Sequence, residues 1–370
     1  MNDIAKATRR RRRILWNRIF SYRIRRYFVL VQKLIREGML KKEEYIELLD
    51  TYTEDTINQL SEIAVQYRKR YYGNKVYTRG LIEFTNYCKN NCFYCGIRGK
   101  NRNIIRYRLT KEEILECCKS GYELGFRTFV LQGGEDIYFN DEKLCDIIKS
   151  IKQRYPDCAI TLSVGERSYE SYKALKEAGA DRYLLRHETA MESHYCKLHP
   201  REMSLENRKH CLYQLKELGY QVGAGFMVGS PHQTNECLAE DLIFLKELEP
   251  DMVGIGPFLP HHDTPFAKEE KGSVSKTLLL LAVVRIILPK VLLPATTALG
   301  TAEGDGREKG LAVGANVVMP NLSPLSKREQ YALYDNKIHQ NAEAAENIKV
   351  LERKVKELGY GLAYERGDAV

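Results

Sequence analysis

The chain has 370 residues, 44% of them hydrophobic, enough for one large domain with a sizeable core plus an appendage, or for two ordinary domains. No apolar run reaches the roughly 18 residues of a transmembrane helix, and the N-terminus lacks the apolar core and cleavage site of a secretory signal. The formal charge of +9 sits at one end: residues 1–36 hold twelve Lys and Arg against one acid, so residues 37–370 sum to −2 and carry no basic footprint for nucleic acid.

Residues 1–36 form a basic extension with the run Arg9–Arg13 followed by mixed apolar and basic positions such as Ile19, Phe20 and Ile24. An amphipathic basic helix of this kind suits anionic lipid, RNA or organelle targeting. The simpler expectation is a solvated extension, and translation from Met39 would remove it. Residues 37–79 read as a helical segment. From Lys41 to Tyr72, Leu48, Leu49, Ile57, Leu60, Ile63 and Ala64 recur at three- and four-residue spacing.

From Gly80 onward short apolar strands alternate with amphipathic helices. Eight strands are predicted: Leu81–Thr85, Thr128–Gln132, Ile160–Ser163, Tyr183–Arg186, Val222–Phe226, Met252–Gly256, Leu292–Thr297 and Asn316–Met319. Such alternation gives a parallel sheet with right-handed crossovers. Eight units over roughly 240 residues fit an α/β fold of the (β/α)8 TIM-barrel type across residues 80–335; a doubly wound open sheet is the alternative. The apolar stretch Leu278–Leu288, interrupted by Arg285, reads as a buried helix. Gly179 and Gly219 read as left-handed helix C-caps. Residues 336–370 read as a helical tail.

A barrel puts its chemistry at the C-terminal ends of its strands, and the polar motifs fall there. Strand one is followed by Cys88-Lys-Asn-Asn-Cys92-Phe-Tyr-Cys95. Ten cysteines without secretory features argue for thiols and metal ligands, and thiolates suit zinc or Fe–S clusters. A structural zinc site wants four ligands, whereas this loop offers three. Cys117 and Cys118 lie on a helix, away from a strand end. After strand two comes Gln132-Gly133-Gly134-Glu135-Asp136, whose glycines allow close backbone approach to a ligand or a plain tight turn. Strand three ends at Ser163, before Gly165 and Glu166. Strand four ends in Arg186-His187-Glu188-Thr189, charges that need a ligand or each other. Thr296 and Thr297 end strand seven and suit an anion. His261 and His262 are adjacent, so their side chains are expected to diverge; they read as loop histidines rather than a metal pair, with Asp263 beside them a candidate substrate contact.

The three-cysteine spacing on the first βα loop, with Tyr94 before the last cysteine, closely resembles the radical S-adenosylmethionine (SAM) superfamily. Further blocks carry the resemblance into its biotin-synthase-like branch and, within that, to the HydE-type maturases of FeFe-hydrogenase: Arg79–Arg98, Val130–Asp136, Asp181–Ala190, Gly219–Thr234, Asp251–Pro265 and Leu293–Thr301. The resemblance implies one 4Fe–4S cluster on Cys88, Cys92 and Cys95, with an open iron that chelates SAM. Reductive cleavage of SAM to a 5′-deoxyadenosyl radical would follow. It also implies SAM contacts by Tyr94, Gly133, Ser163, Glu188, Arg208 and Met252, and a substrate cavity lined by Arg182, Arg186, Thr296, Thr297, Tyr331 and Tyr334. The implied substrate is a small organometallic or amino-acid-derived molecule. The implied partners are other hydrogenase maturases and a reductant such as ferredoxin or flavodoxin, in the cytoplasm. Some members carry three further cysteines near the C-terminus for a second cluster; none follows Cys237 here, so a second Fe–S cluster is not expected. The alternatives are a methylornithine-synthase-like mutase of the same branch and, from another class, a metal-stabilised RNA-binding protein using Arg9–Arg13.

Overall fold

The computed structural model describes residues 28–337 and 347–370. The run Arg9–Arg13 and the rest of residues 1–27 lie outside them. The described part of the extension is not a solvated tail: a helix over residues 28–37 (α1) buries Leu30, Val31 and Leu34. The helical segment expected from Lys41 to Tyr72 is two helices, α2 (Lys42–Thr51) and α3 (Glu54–Tyr72). Thr53 divides them. Its backbone is extended and its hydroxyl accepts the Thr56 N–H, the preference of a threonine N-cap.

The strands and helices that follow alternate as β1 (Lys75–Thr78), β2 (Gly80–Thr85), α4 (Lys111–Glu123), β3 (Thr128–Gly133), α5 (Asp141–Arg154), β4 (Ala159–Ser163), α6 (Tyr169–Glu177) and β5 (Arg182–Leu184). Next come α7 (Glu192–Leu198), α8 (Leu205–Glu217), β6 (Gln221–Ala224), β7 (Met227–Val228), α9 (Asn235–Leu248), β8 (Met252–Val253), β9 (Gly256–Pro257) and α10 (Val274–Ile287). The chain ends with α11 (Thr297–Ala302), α12 (Gly306–Ala312), β10 (Val317–Val318), α13 (Leu325–Arg328), α14 (Ile348–Glu357) and β11 (Gly361–Ala363).

One parallel sheet runs in the order β2-β3-β4-β5-β6-β8. Single parallel bridges carry it round: Met252 to Leu292, Pro294 to Val317, and Asn321 back to Leu81. The fold is therefore a closed (β/α)8 barrel, not an open sheet. Two of the eight expected strands, Leu292–Thr297 and Asn316–Met319, are reduced to these bridges and β10. The period-two alternation of each strand sorts its side chains. Phe129, Leu131, Ile160, Leu162 and Tyr183 join the large core beneath the helices, while Met252, Leu292 and Val317, with Leu184, form a separate cluster inside the barrel. α10 is buried nearly all round, and Arg285 within it survives because its guanidinium donates to the carbonyls of Gly314, Pro289 and Val291 and to Oδ1 of Asn316.

The expected helical tail is a helix followed by a strand. β11 pairs with β1, and residues 364–370 run under the N-terminal end of the barrel. Thr128 Oγ1 donates to the Arg366 carbonyl at 2.8 Å, and Arg182 donates to the same carbonyl at 2.7 Å and to Oδ1 of Asp368 at 2.6 Å. Buried Arg79 reaches Sδ of Met252 at 2.8 Å and the Gly367 carbonyl at 3.4 Å. This corrects two expectations. Arg182 begins β5 and Met252 begins β8, so both sit at the end of the barrel opposite the cysteine loop. Arg182 lies four residues before Arg186 on the same strand face, roughly 13 Å away along the strand, and its charge is spent on the tail.

Burial opposes the Asp368 charge, but hydrogen bonds from Arg366 and Arg182 outweigh it and bring its pKa down to about 2. Its contribution is thus complete above the ordinary carboxylate pKa and is lost as pH falls towards 2. Because Asp368 is partly exposed, the loss on Asp368→Asn is expected to be about 1–2 kcal/mol rather than the 3–5 of a fully buried pair. Thermal unfolding at pH 7 should show a lower midpoint for the variant, and the gap should narrow as pH is taken below 4.

Candidate functional site

The cysteine loop leaves the C-terminal end of β2 and is tied down before any ligand is considered. Thr85 Oγ1 donates to Oδ2 of Asp136 at 2.7 Å, and Arg108 forks onto both oxygens of that carboxylate at 2.7 and 2.9 Å. Burial works against the Asp136 charge, yet Arg108 and Thr85 hold its pKa below the ordinary value. The Arg106 guanidinium donates to the carbonyls of Asn86, Ile97, Arg98 and Asn101, clasping both ends of the loop. Across it, the Glu135 N–H points at Sγ of Cys88 from 3.4 Å. A Cβ on Gly134 would lie 2.2 Å from the Tyr87 carbonyl oxygen and 2.6 Å from Cβ of Cys88. Of the paired glycines, Gly134 is thus the one that lets β3 approach the cysteines, while the corresponding position at Gly133 faces Thr85 Cγ2 at 2.6 Å.

Burial pushes all three thiols up, Cys92 to about 12. Three thiolates could not be held here without a strongly positive group among them. A single zinc fits poorly. Among the described residues, the trio of candidate ligands whose atoms all lie within 4.8 Å of one another is His261, His262 and Asp335, not the cysteines. Tetrahedral zinc with Zn–S bonds of about 2.3 Å would draw its sulfurs to roughly 3.8 Å apart. The donor set and its wider spacing fit a multi-iron cluster.

The neighbouring strand ends supply charge. Arg208, on α8, places Nε 2.8 Å from Glu166 and an NH2 group 4.0 Å from Glu135. Burial works against its charge, but Glu166, Tyr195 and Glu135 outweigh it and keep the pKa above the ordinary guanidinium value. Glu188 takes a positive φ of 66° and stands 3.0 Å from Arg186. These contacts are close but misaligned: Arg208 Nε, Glu166 Oε1, Arg186 NH2 and Glu188 Oε2 are buried and make no hydrogen bond. Arg208 and Glu188 both act on the Cys92 thiol, the first favouring and the second opposing its ionisation. Tyr94 packs edge-on against His199, its hydroxyl 3.1 Å from Nε2. Ser163 ends β4 at the same rim. The structure thus brings together Cys92, Tyr94, Ser163, Glu188 and Arg208, and leaves Met252 and Arg182 at the other end.

Behind this rim is a pair that the sequence reading did not single out. His187 and Asp241 are wholly buried, 3.3 Å apart. Burial pushes the imidazole down to about 3, so His187 is neutral at pH 7, and pushes the Asp241 carboxyl well above the ordinary carboxylate range. His187 Nδ1 accepts the Gly225 N–H, and Asp241 Oδ1 accepts the Ala190 N–H. They bracket Glu188 and hold its unusual backbone. The signal was present in the sequence, since Asp241 stands in the apolar stripe of α9 with Leu238, Leu242 and Leu245.

On the far side of the mouth, Thr296 caps α11, accepting the Leu299 N–H at 3.4 Å, and Thr297 opens that helix. Tyr331 and Tyr334 are driven up by burial and remain protonated; Arg186 and Arg307 lie near Tyr334. Lys337, also missed, pairs with Glu83 deep in the barrel and lies 4.9 Å over the Tyr331 ring. Glu83 in the middle of an apolar strand was the legible half of that pair. The two histidines do not diverge. Their rings stack with centroids 4.4 Å apart, because Asp335 engages His262 at 2.7 Å and lies 3.9 Å from His261. His261 Nδ1 accepts the Asp263 N–H, so the group is a hydrogen-bonded brace against the cysteine loop at Gly96.

Comparison with known proteins agrees with this geometry. Residues 82–245 match the Radical SAM superfamily. The [FeFe] hydrogenase maturase subunit HydE of Thermotoga maritima is 52% identical over 279 residues, covering 75% of this chain and 79% of that protein. The 3-methylornithine synthase of Methanosarcina acetivorans is 32% identical, covering 89% of this chain and 92% of that one. The crystal structure of methylornithine synthase (PylB) superposes with a TM-score of 0.80 at 30% identity, over 90% of this chain and 97% of that one.

Gly134→Ala is expected to displace the cysteine loop and cut the iron retained after anaerobic reconstitution by more than half. Gly304→Ala, where a Cβ meets nothing within 4 Å, should retain it fully. Iron and sulfide analysis of the two variants checks this.

Proposed function

The chain belongs to the radical SAM superfamily, in the branch that contains HydE and 3-methylornithine synthase, and we propose that it performs the radical step of FeFe-hydrogenase maturation, in assembly of the diiron subcluster. The observation that carries the reading is the partly buried three-thiol loop facing the unaligned polar atoms of Arg186, Glu188 and Arg208. The identity of 52% to a HydE supports the choice within the branch.

In this reading Cys88, Cys92 and Cys95 hold one 4Fe–4S cluster, and SAM lies between it and the rim formed by Tyr94, Gly133, Gly134, Ser163, Glu188 and Arg208. The reduced cluster supplies an electron that cleaves SAM to methionine and a 5′-deoxyadenosyl radical. The chain's own work is to bind and orient. Arg208, kept charged by Glu166 and Glu135, offers N–H donors to the SAM carboxylate. Glu188, flanked by the buried His187–Asp241 pair, offers acceptors to the amino or hydroxyl groups. Buried Tyr331 and half-buried Tyr334 donate O–H groups, and Thr296, Thr297 and Arg186 offer donors to an anionic substrate. That substrate is a small iron–cysteine compound or a related amino-acid derivative, delivered by partner maturases. Because Cys237 is the last cysteine, one cluster and about four irons per chain are expected. Free thiols and an oxygen-labile cluster support a cytoplasmic location. The methylornithine-synthase reading is favoured by its longer alignment and by the superposition on PylB.

With dithionite and SAM under anaerobic conditions, the reconstituted protein should release 5′-deoxyadenosine, and Cys92→Ser should release none. Glu188→Gln should raise the SAM KM at least tenfold, about 1.4 kcal/mol, with iron content unchanged. Adding the protein to a mixture of the other maturases and apo-hydrogenase should restore hydrogen evolution. Unchanged hydrogen evolution, with methylornithine formed from lysine instead, would move the chain to the second reading.

A further inference from the structure

The segment after the cysteines, residues 96–108, carries Arg98, Lys100, Arg102, Arg106 and Arg108 and no acid, in a chain whose residues 37–370 sum to −2. Part of that charge is structural, because Arg106 clasps four backbone carbonyls and Arg108 is spent on Asp136. Lys100 and Arg102 are exposed. Large apolar side chains are exposed in this segment and just after β3: Ile105 is 70% exposed, Ile137 82% and Tyr138 48%. Two arginines join the pieces: Arg106 reaches from the Asn101 carbonyl to 5.8 Å over the Tyr87 ring. The Arg108 guanidinium stacks 3.8 Å over Tyr87 and 4.7 Å over Tyr138, and Tyr138 in turn carries Lys143 at 4.6 Å.

This surface is attached directly to the cysteine loop. Tyr87 precedes Cys88. The Gly99 N–H donates to the Asn90 carbonyl at 2.7 Å, and a Cβ on Gly99 would stand 2.9 Å from the Cys88 carbonyl oxygen. The Arg98 N–H donates to the Cys95 carbonyl at 3.2 Å, and its Nε to Asn91 at 2.6 Å. An apolar, aromatic centre with a basic rim has the composition of a transient protein interface. Its charge would steer an acidic partner.

We propose that this face is the docking site of a small acidic protein that carries one electron at low potential, and that it delivers that electron to the cluster through the Cys88 side of the loop. The proposal rests on the radical SAM reading. The step is a single transfer: the carrier's redox group loses one electron and the oxidised cluster gains it, with no bond formed or broken. The other face of the same loop, towards Arg208 and Glu188, is left to SAM.

The test uses reduced flavodoxin as the acidic carrier and dithionite as a reductant too small to need a docking surface. In the reconstituted protein, the double variant Lys100→Glu/Arg102→Glu and the single variant Ile137→Ser should each cut flavodoxin-driven 5′-deoxyadenosine release at least tenfold, and leave the dithionite-driven rate within twofold. Flavodoxin affinity, measured by calorimetry, should fall in parallel and weaken steeply with salt in the wild type. A flavodoxin-driven rate and affinity equal to wild type in the charge-reversed variant overturn the proposal, as does a loss seen equally with dithionite. So does tighter binding of a single-stranded RNA than of flavodoxin at this face. Absence of cleavage with both reductants in the wild-type protein would instead count against the radical SAM reading, and docking would then be decided by affinity alone.

Discussion

Three thiols meet at the mouth of a barrel in surroundings that oppose their ionisation, and much of the molecule follows from that. Desolvation raises the pKa of each, and a positively charged multi-iron group among the sulfurs would offset it. A loop with so little helix or strand of its own has to be fixed from outside. Arg106 closes it by its carbonyls, Asp136 links β2 to β3 beneath it, and Gly134 allows β3 to press against Cys88.

The two ends of the barrel handle buried charge in opposite ways. At the N-terminal end, Arg182 and Arg366 meet Asp368 with aligned hydrogen bonds, and the C-terminal tail closes the opening. That is a finished structure. At the C-terminal end, Arg186, Glu188, Glu166 and Arg208 lie within 3 Å of an opposite charge yet keep unaligned polar atoms. Buried polar groups normally find partners, so a rim of orphaned ones is where a polar ligand belongs. Glu188 itself, in front of the buried His187–Asp241 pair, takes a strained φ of 66° unusual for a residue other than glycine.

Much of this was legible in the sequence because it obeys local rules. Strand–helix alternation gave the barrel, and Cys88, Cys92 and Cys95 declared themselves by spacing and by following a strand. Ser163, Glu188 and Arg186 were legible as polar residues at strand ends. Arg182 and Met252 were misplaced because membership of a strand does not say which end of it a residue occupies; a four-residue offset moves a side chain from the mouth to the floor. β11 and the floor it builds were invisible, since only the long-range pairing of residues 361–363 with residues 75–77 makes them a strand. Asp241 and Lys337 were passed over for a related reason. Each is a single charge whose partner, His187 or Glu83, lies far away in the chain.

The central claim is that the three-thiol loop holds a cluster with one open iron that takes SAM. Electron paramagnetic resonance of the dithionite-reduced protein, recorded before and after SAM is added, addresses it most directly. The account predicts a reduced 4Fe–4S signal whose g values shift when SAM is added, in a protein containing about four irons and no zinc. A zinc-loaded protein without a signal, or a cluster signal that SAM leaves unchanged, would contradict it.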